Sequence, residues 1–351
     1  MTTKRYESLD ILRGITIAFM CIVNNPGTWE HVFPPLLHAE WNGCTPTDLV
    51  YPFFIFCAGC AMAFSFSKFE GVTWAAVRKL LVRGAALFAI GFVLNLYTIA
   101  MGYVRIFGVL QRIGLAYMVG GLFALWLRQP KKIIAAIAVL LTFHTAILLI
   151  FGQAPGAFTL EGNVAGRIDT WLVGEKHVMT YDGGVHFDPE GLLGLLTASC
   201  TTLLGYLAGW TIRRGKERTE TVCRIFASAC VCLALAMVLT IWIPLNKSLW
   251  TASFTLYTGG WAMLALAFLA YVVDVRGWGR PLGWLKVYGT NPLLAYILCS
   301  VLYLVLAFTG LHPGKYFAAN ELTSLLWAVI YAGIIFLILY PLYKKKIYIK
   351  L

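Results

Sequence analysis

Apolar residues in this 351-residue chain come in blocks of about twenty, separated by short polar breaks. An α-helix rises about 1.5 Å per residue, so such a block matches the roughly 30 Å hydrocarbon core of a bilayer. The blocks predict helices near 11–29, 49–67, 80–100, 109–127, 132–151, 190–211, 222–243, 252–273, 284–308 and 322–343. The expected fold is all-α: a polytopic membrane bundle of about ten helices, forming one transmembrane domain over residues 1–351. No period of 20–50 residues marks an internal repeat. The longest polar break, about 152–189, is expected to carry short structure and to form a lid or wall.

Composition supports the same class. The chain is 60% hydrophobic and 13% charged, with a mean hydropathy of +0.76. A soluble domain is typically about 45–50% apolar and about 25% charged. Met1 to Arg5 is polar and the first apolar block lacks a small-residue cleavage site, so no cleavable signal is expected. Most of the 28 lysines and arginines flank alternate breaks, on one side of the bundle. The positive-inside rule then places both termini in the cytoplasm. That bias also accounts for the net charge of +12, and no nucleic-acid partner is needed. Of nine cysteines, all but Cys44 lie in or beside apolar helices, where cysteine behaves as a small hydrophobe. Cys57-Ala-Gly-Cys60 has C-x-x-C spacing but no second pair, so neither a metal nor a redox role is expected.

The opposite, outer face collects most of the acids and histidines, and four segments there carry candidate chemistry. Asn24 and Asn25 lie where the first helix breaks at Pro26-Gly27, and they need partners or act as caps. His38, Trp41, Asn42 and Asp48 stand at the mouth of the second helix. A histidine and a carboxylate there suggest proton chemistry at a membrane surface, while Trp41 and Tyr51 also fit an interfacial belt. Arg105 and Arg112 sit in an apolar run, either paired with an outer acid or facing a ligand. In His186-Phe-Asp-Pro-Glu-Gly191, Asp188 and Glu190 open a helix whose dipole accounts for one acid but not obviously both. The elbow Pro244 to Ser253 holds Lys247 and Trp250, as an ordinary turn or as a substrate wall. On the basic face, Asp10 and Arg13 are three apart on one helical face and can pair, or leave Arg13 for a phosphate. Asn291, in Tyr288-Gly-Thr-Asn-Pro292, lies where freed backbone groups must be satisfied.

Eight stretches carry a resemblance. Ser8-Leu-Asp-Ile-Leu-Arg-Gly14, Val23-Asn24, Leu37-His-Ala-Glu-Trp-Asn-Gly43, Asp48-Leu-Val-Tyr-Pro-Phe53, Gly108-Val-Leu-Gln-Arg-Ile-Gly114, Asp188-Pro-Glu-Gly191, Asn246-Lys-Ser-Leu-Trp-Thr-Ala-Ser253 and Gly289-Thr-Asn-Pro292 occur in order through nearly the whole chain. Together they resemble the membrane acetyltransferases related to heparan-α-glucosaminide N-acetyltransferase, and among these the bacterial NagX-type members. The lysosomal enzyme carries a large luminal domain before its first shared helix, and no role of that domain is carried over.

The resemblance implies transfer of acetyl from cytosolic acetyl-CoA to an amino sugar across a bacterial inner membrane, with no metal. It places the family's active-site histidine on His38 and its asparagine on Asn24. An amine attacks a thioester only when unprotonated, so a base of near-neutral pKa is required, and imidazole fits. An amide N–H such as that of Asn24 can stabilise the thioester oxygen as it gains charge. Asp48 is the candidate to hold the His38 tautomer. Trp41, Asn42, Arg112, Asp188, Glu190, Lys247 and Trp250 are candidates for the acceptor, with the two acids meeting its ammonium or hydroxyls. Arg13, Arg83, Arg276, Lys286 and Asn291 are candidates for the phosphates and nucleotide of CoA, which would thread between helices toward His38. The expected partners are CoA, the acceptor, membrane lipid and a second copy of the chain in a homodimer.

Direct transfer in a ternary complex and a ping-pong route through acetylated His38 both remain open. The direct route is preferred because one site with an oxyanion group suffices. The rival from another class is a permease for a small polar solute, since broken helices with Asn and Pro are also transporter signatures. The absence of repeated halves weighs against it.

Overall fold

The computed structural model describes residues 6–69, 71–311 and 314–349. Its long elements are helices α1 (Glu7–Val23), α2 (Pro46–Ser65), α3 (Trp74–Asn95), α4 (Val109–Leu127), α5 (Pro130–Phe151), α6 (Val164–Val173), α7 (Gly194–Arg214), α8 (Arg218–Leu239) and α9 (Ala252–Leu269). The short α10 (Lys286–Thr290), α11 (Pro292–Thr309), the short α12 (Gly314–Phe317) and α13 (Glu321–Lys344) follow. Among the described residues, nine helices are long and apolar enough to cross a membrane. The chain is therefore an all-helical, multi-pass membrane protein, as its hydropathy predicts.

The tenth expected span, 11–29, is α1, and it differs. It has 17 residues, about 26 Å by its rise, with Glu7, Asp10 and Arg13 among them. It stops at Val23 because Pro26 disfavours helical backbone at the residue before it. Likewise, the span expected at 284–308 is two helices. Pro292 drives Asn291 out of the helical region, to φ −127° and ψ 56°, so α10 ends and α11 begins there.

The chain forms two compact units, each with its own interior. The first comprises Met1–Ala39, Thr45–Phe54 and Ala265–Leu351. In it α1 lies directly on α10: a Cβ added to Gly14 would sit 2.0 Å from the Leu285 carbonyl oxygen, and one added to Gly289 would sit 1.9 Å from that of Asp10. Only glycine permits that approach. The free N–H groups at the start of α1 are met by Asp274, which accepts from Glu7 N at 2.9 Å and Ser8 N at 3.2 Å. An apolar cluster including Met20, Val23, Leu36, Val50, Cys299 and Tyr331 supports the other end of α1.

The second unit comprises Glu40–Cys44 and Ile55–Leu264. At its centre is α7, packed on α4, α5 and α8 and 72% buried, against 22% for α8, whose apolar side chains face outward as lipid contact requires. The long polar break carries α6, capped by the Asn163 side chain accepting from Gly166 N at 3.0 Å. A satellite cluster of Leu148, Val164, Phe187, Leu193 and Leu249, with Trp41 and Phe158 against it, fixes that segment. Helix α7 starts at Gly194 rather than near 190, so Asp188 and Glu190 lie in the turn before it and are no part of its first turn.

Candidate active site

In the first unit, Asp48 lies in the first turn of α2 and is sealed, with 1% of its side chain exposed. One oxygen, Oδ1, is 2.7 Å from His38 Nδ1. The other, Oδ2, accepts from Ala39 N at 3.0 Å and Thr45 N at 3.1 Å, with the Thr45 hydroxyl also at 3.1 Å. Four groups thus fix the carboxylate in place. A carboxylate only accepts, so Nδ1 carries the proton and Nε2 presents its lone pair. The His38 side chain is 48% exposed, so the imidazole stands at the surface while its carboxylate partner is sealed.

Asn24 is the exposed C-cap of α1, and its backbone N–H donates to Met20 O at 3.1 Å. The neighbouring Asn25 is buried, its amide donating to Cys21 O at 2.8 Å and Cys299 Sγ at 3.1 Å. Since Val23, Leu36 and Val50 share one cluster, the segments bearing Asn24, His38 and Asp48 rest on the same apolar support. In the same unit Arg13 pairs with Asp10 at 3.5 Å, and Lys286 with Glu7. Arg276 lies 4.8 Å from the centre of the Trp278 ring. Asn291 uses both ends of its amide on the chain's last described stretch, donating to Ile347 O at 3.0 Å and accepting from Ile349 N at 2.8 Å.

The second unit holds the acceptor candidates and Arg83. Arg105 clamps the turn before α7: Nε donates to Asp188 Oδ2 at 2.9 Å, and Nη2 to Asp188 Oδ1 at 2.8 Å and to Glu190. Burial pushes the Asp188 carboxyl above its ordinary range despite Arg105. Burial would raise Glu190 too, but the charges of Arg105, Arg112 and Lys247 outweigh it and hold that carboxyl low. Arg105 itself is held charged by its two carboxylates against burial. Arg112, fully buried, donates to Gly191 O at 2.8 Å and lies 5.3 Å from the centre of the Trp250 ring. On the other side of the same turn, Asp169 Oδ1 accepts from Leu192 N at 2.8 Å. Burial raises the Asp169 carboxyl to about 7.

Trp250 is buried, its Nε1 donating to Thr201 Oγ1 at 3.2 Å. Its φ of 51° is a strained value for a bulky residue, kept by these contacts. Trp41 donates from Nε1 to Phe158 O at 2.7 Å and meets Phe187 edge-on at 5.5 Å. Asn42 is exposed, and its Oδ1 accepts from Asn246 at 3.1 Å. Arg83 stacks on Tyr117, 4.7 Å from the ring centre. Among the described residues no group of three His, Cys, Asp or Glu could hold a metal ion.

The structure thus joins His38 to Asp48, Arg105 to both acids of the turn, and Arg112 to Trp250. Thr45, Asp169, Thr201 and Asn246 are polar residues of these clusters that sequence reasoning did not single out. Asn246 stood in a quoted motif, where nothing distinguished a buried asparagine from a solvated one.

Comparison with known proteins bears on these motifs directly. Residues 5–160 match the family model described as heparan-alpha-glucosaminide N-acetyltransferase, catalytic. The chain is 29% identical, over an alignment spanning 412 positions, to the heparan-alpha-glucosaminide N-acetyltransferase of Mus musculus, covering 100% of this chain and 61% of that protein. Against the Homo sapiens enzyme of the same name it is 28% identical over 414, covering 99% and 60%. The chain therefore spans about three-fifths of the length of these curated relatives, and the resemblance expected from the motifs runs along all of it.

Proposed function

We propose that this protein is an N-acetyltransferase that moves acetyl from acetyl-CoA to the amine of a glucosamine-type sugar, within a bacterial inner membrane. The observation that carries the reading is the His38–Asp48 pair: an exposed imidazole whose tautomer a buried carboxylate fixes. Similarity to enzymes named for this acetyl transfer supports it.

The chemistry follows from the groups. His38 Nε2 removes the proton of the attacking amine as the C–N bond forms, and Asp48 stabilises the resulting imidazolium. The thioester oxygen gains negative charge in that step, and in this reading the amide N–H of Asn24 stabilises it. Collapse breaks the C–S bond, the thiolate leaves, and the imidazolium returns its proton to the sulfur. Products are the N-acetyl sugar and CoA. Trp41, Asn42 and the turn bearing Glu190 bind the acceptor. The basic face, with Arg13, Arg83, Arg276 and Lys286, receives the CoA phosphates, so donor and acceptor reach the protein from opposite sides of the membrane.

The test is a transfer assay in detergent. Purified protein with isotope-labelled acetyl-CoA and glucosamine should yield labelled N-acetylglucosamine without any membrane gradient. Substrate movement in vesicles with no acetylated product would instead favour a permease.

A further inference from the structure

Asn246 is completely buried in the elbow between α8 and α9, and its side-chain amide makes three hydrogen bonds. Its Oδ1 accepts from Leu249 N at 2.7 Å and closes the elbow itself. Its Nδ2 donates to Trp41 O at 3.0 Å and to Asn42 Oδ1 at 3.1 Å. Beside it, Gly43 N donates to Leu245 O at 2.7 Å. The segment 41–43 is thus docked on the elbow by three hydrogen bonds, two of them from one amide. Its far side is held as well, by Trp41 Nε1 on Phe158 O.

These bonds do more than hold backbone. An asparagine amide has one accepting and one donating end, and which end faces outward depends on the bonds it makes. With Asn42 Oδ1 occupied by Asn246, the NH₂ group of exposed Asn42 is the end turned away, as a donor. We infer that Asn246 is a positioning residue for the acceptor: it fixes Asn42 to present N–H donors to a sugar hydroxyl or ring oxygen, and sets the stance of Trp41. This rests on the proposed reading that Trp41 and Asn42 meet the acceptor. Nothing but a primary amide suits the position. Aspartate would keep the bond from Leu249 N but set a carboxylate oxygen against two acceptors, and Asn42 would relieve that clash by turning its amide over.

Asn246→Asp is the experiment, because it preserves shape and the elbow while removing both donors. KM for glucosamine is expected to rise by about tenfold or more, with KM for acetyl-CoA near wild type; the buried carboxylate lowers the melting temperature, so both constants are measured well below it. As pH is lowered and the new carboxyl takes a proton, a donor returns, and the gap in acceptor KM between variant and wild type should narrow. Hydrogen–deuterium exchange reads the docking without any turnover: the Gly43 region should exchange faster in the variant. Unchanged acceptor KM with unchanged exchange overturns the inference, as does an equal rise in both KM values. Wild-type protein that acetylates no amino sugar would sink the functional reading instead, and the exchange measurement would still decide the docking.

Discussion

His38 Nδ1 and Asp48 Oδ1 are 2.7 Å apart, and the two partners differ sharply in access: the imidazole is about half exposed while the carboxylate is sealed. That asymmetry is what a base with a fixed tautomer needs. His38→Ala should lower kcat by about 10²–10⁴-fold while the protein still inserts and stays monodisperse. Asp48→Asn should cost a similar factor, because an amide N–H facing Nδ1 reverses the tautomer. Initial rates with labelled acetyl-CoA measure both. Near-wild-type turnover in His38→Ala removes the residue from the reaction.

Arg105 is the hub of a buried triad, and removing it strands two carboxylates. Arg105→Ala should destabilise the protein by about 3–5 kcal/mol. Arg105→Lys should recover only part of that loss, since an ammonium keeps the charge but not the forked geometry that spans Asp188 and Glu190. Thermal unfolding in detergent compares the three proteins, and equal melting temperatures would refute the triad's structural role.

Asp169 should make stability depend on pH. Its folded carboxyl titrates near 7, against an ordinary value of 3.8. Between those values the folded state binds more protons than the unfolded one, so stability is full below about pH 4 and falls as pH rises toward 7. A shift of roughly three units corresponds to at most about 4 kcal/mol. Asp169→Asn cannot titrate but still accepts from Leu192 N. The variant's melting temperature should therefore gain on wild type from pH 4 to 7 and run parallel above it. A difference independent of pH would contradict the assignment.

Orientation can be read by labelling. In a cysteine-free background, a cysteine at 175 should react with an impermeant maleimide from outside, and one at 216 only after permeabilisation. The reverse pattern overturns the topology drawn from charge bias.

Sidedness follows from that topology. Sealed vesicles given acetyl-CoA only on the basic face should acetylate an amine present only on the other face. Activity that requires both substrates on one side would leave the protein a one-sided enzyme held in a membrane.

Much of the fold was legible because hydropathy reports directly on lipid contact. The block read at 109–127 is α4, Val109–Leu127. Boundaries set by hydrogen bonding were less visible. The start of α7 was misplaced because Arg105, 83 residues earlier, holds Asp188 in a turn, and local pattern carries no trace of such a partner. The break at Asn291 was written in Gly-Thr-Asn-Pro, yet a hydropathy average runs straight across it. The His38–Asp48 pair was legible since both residues are chemically conspicuous and ten apart. Asn246 was not, because its meaning lies in a partner 205 positions away.

The Asp274 cap on α1 bears on the order of biosynthesis. A ribosome delivers Glu7 and Ser8 to the translocon long before residue 274 exists, so the first helix forms with its leading amides unmet. The second unit, drawn almost wholly from one continuous stretch, can be completed by then. The scaffold beneath Asn24 waits for Cys299 and Tyr331. A nascent chain released early would carry its histidine and aspartate but lack the floor that holds them, so competence comes only as the last helices arrive.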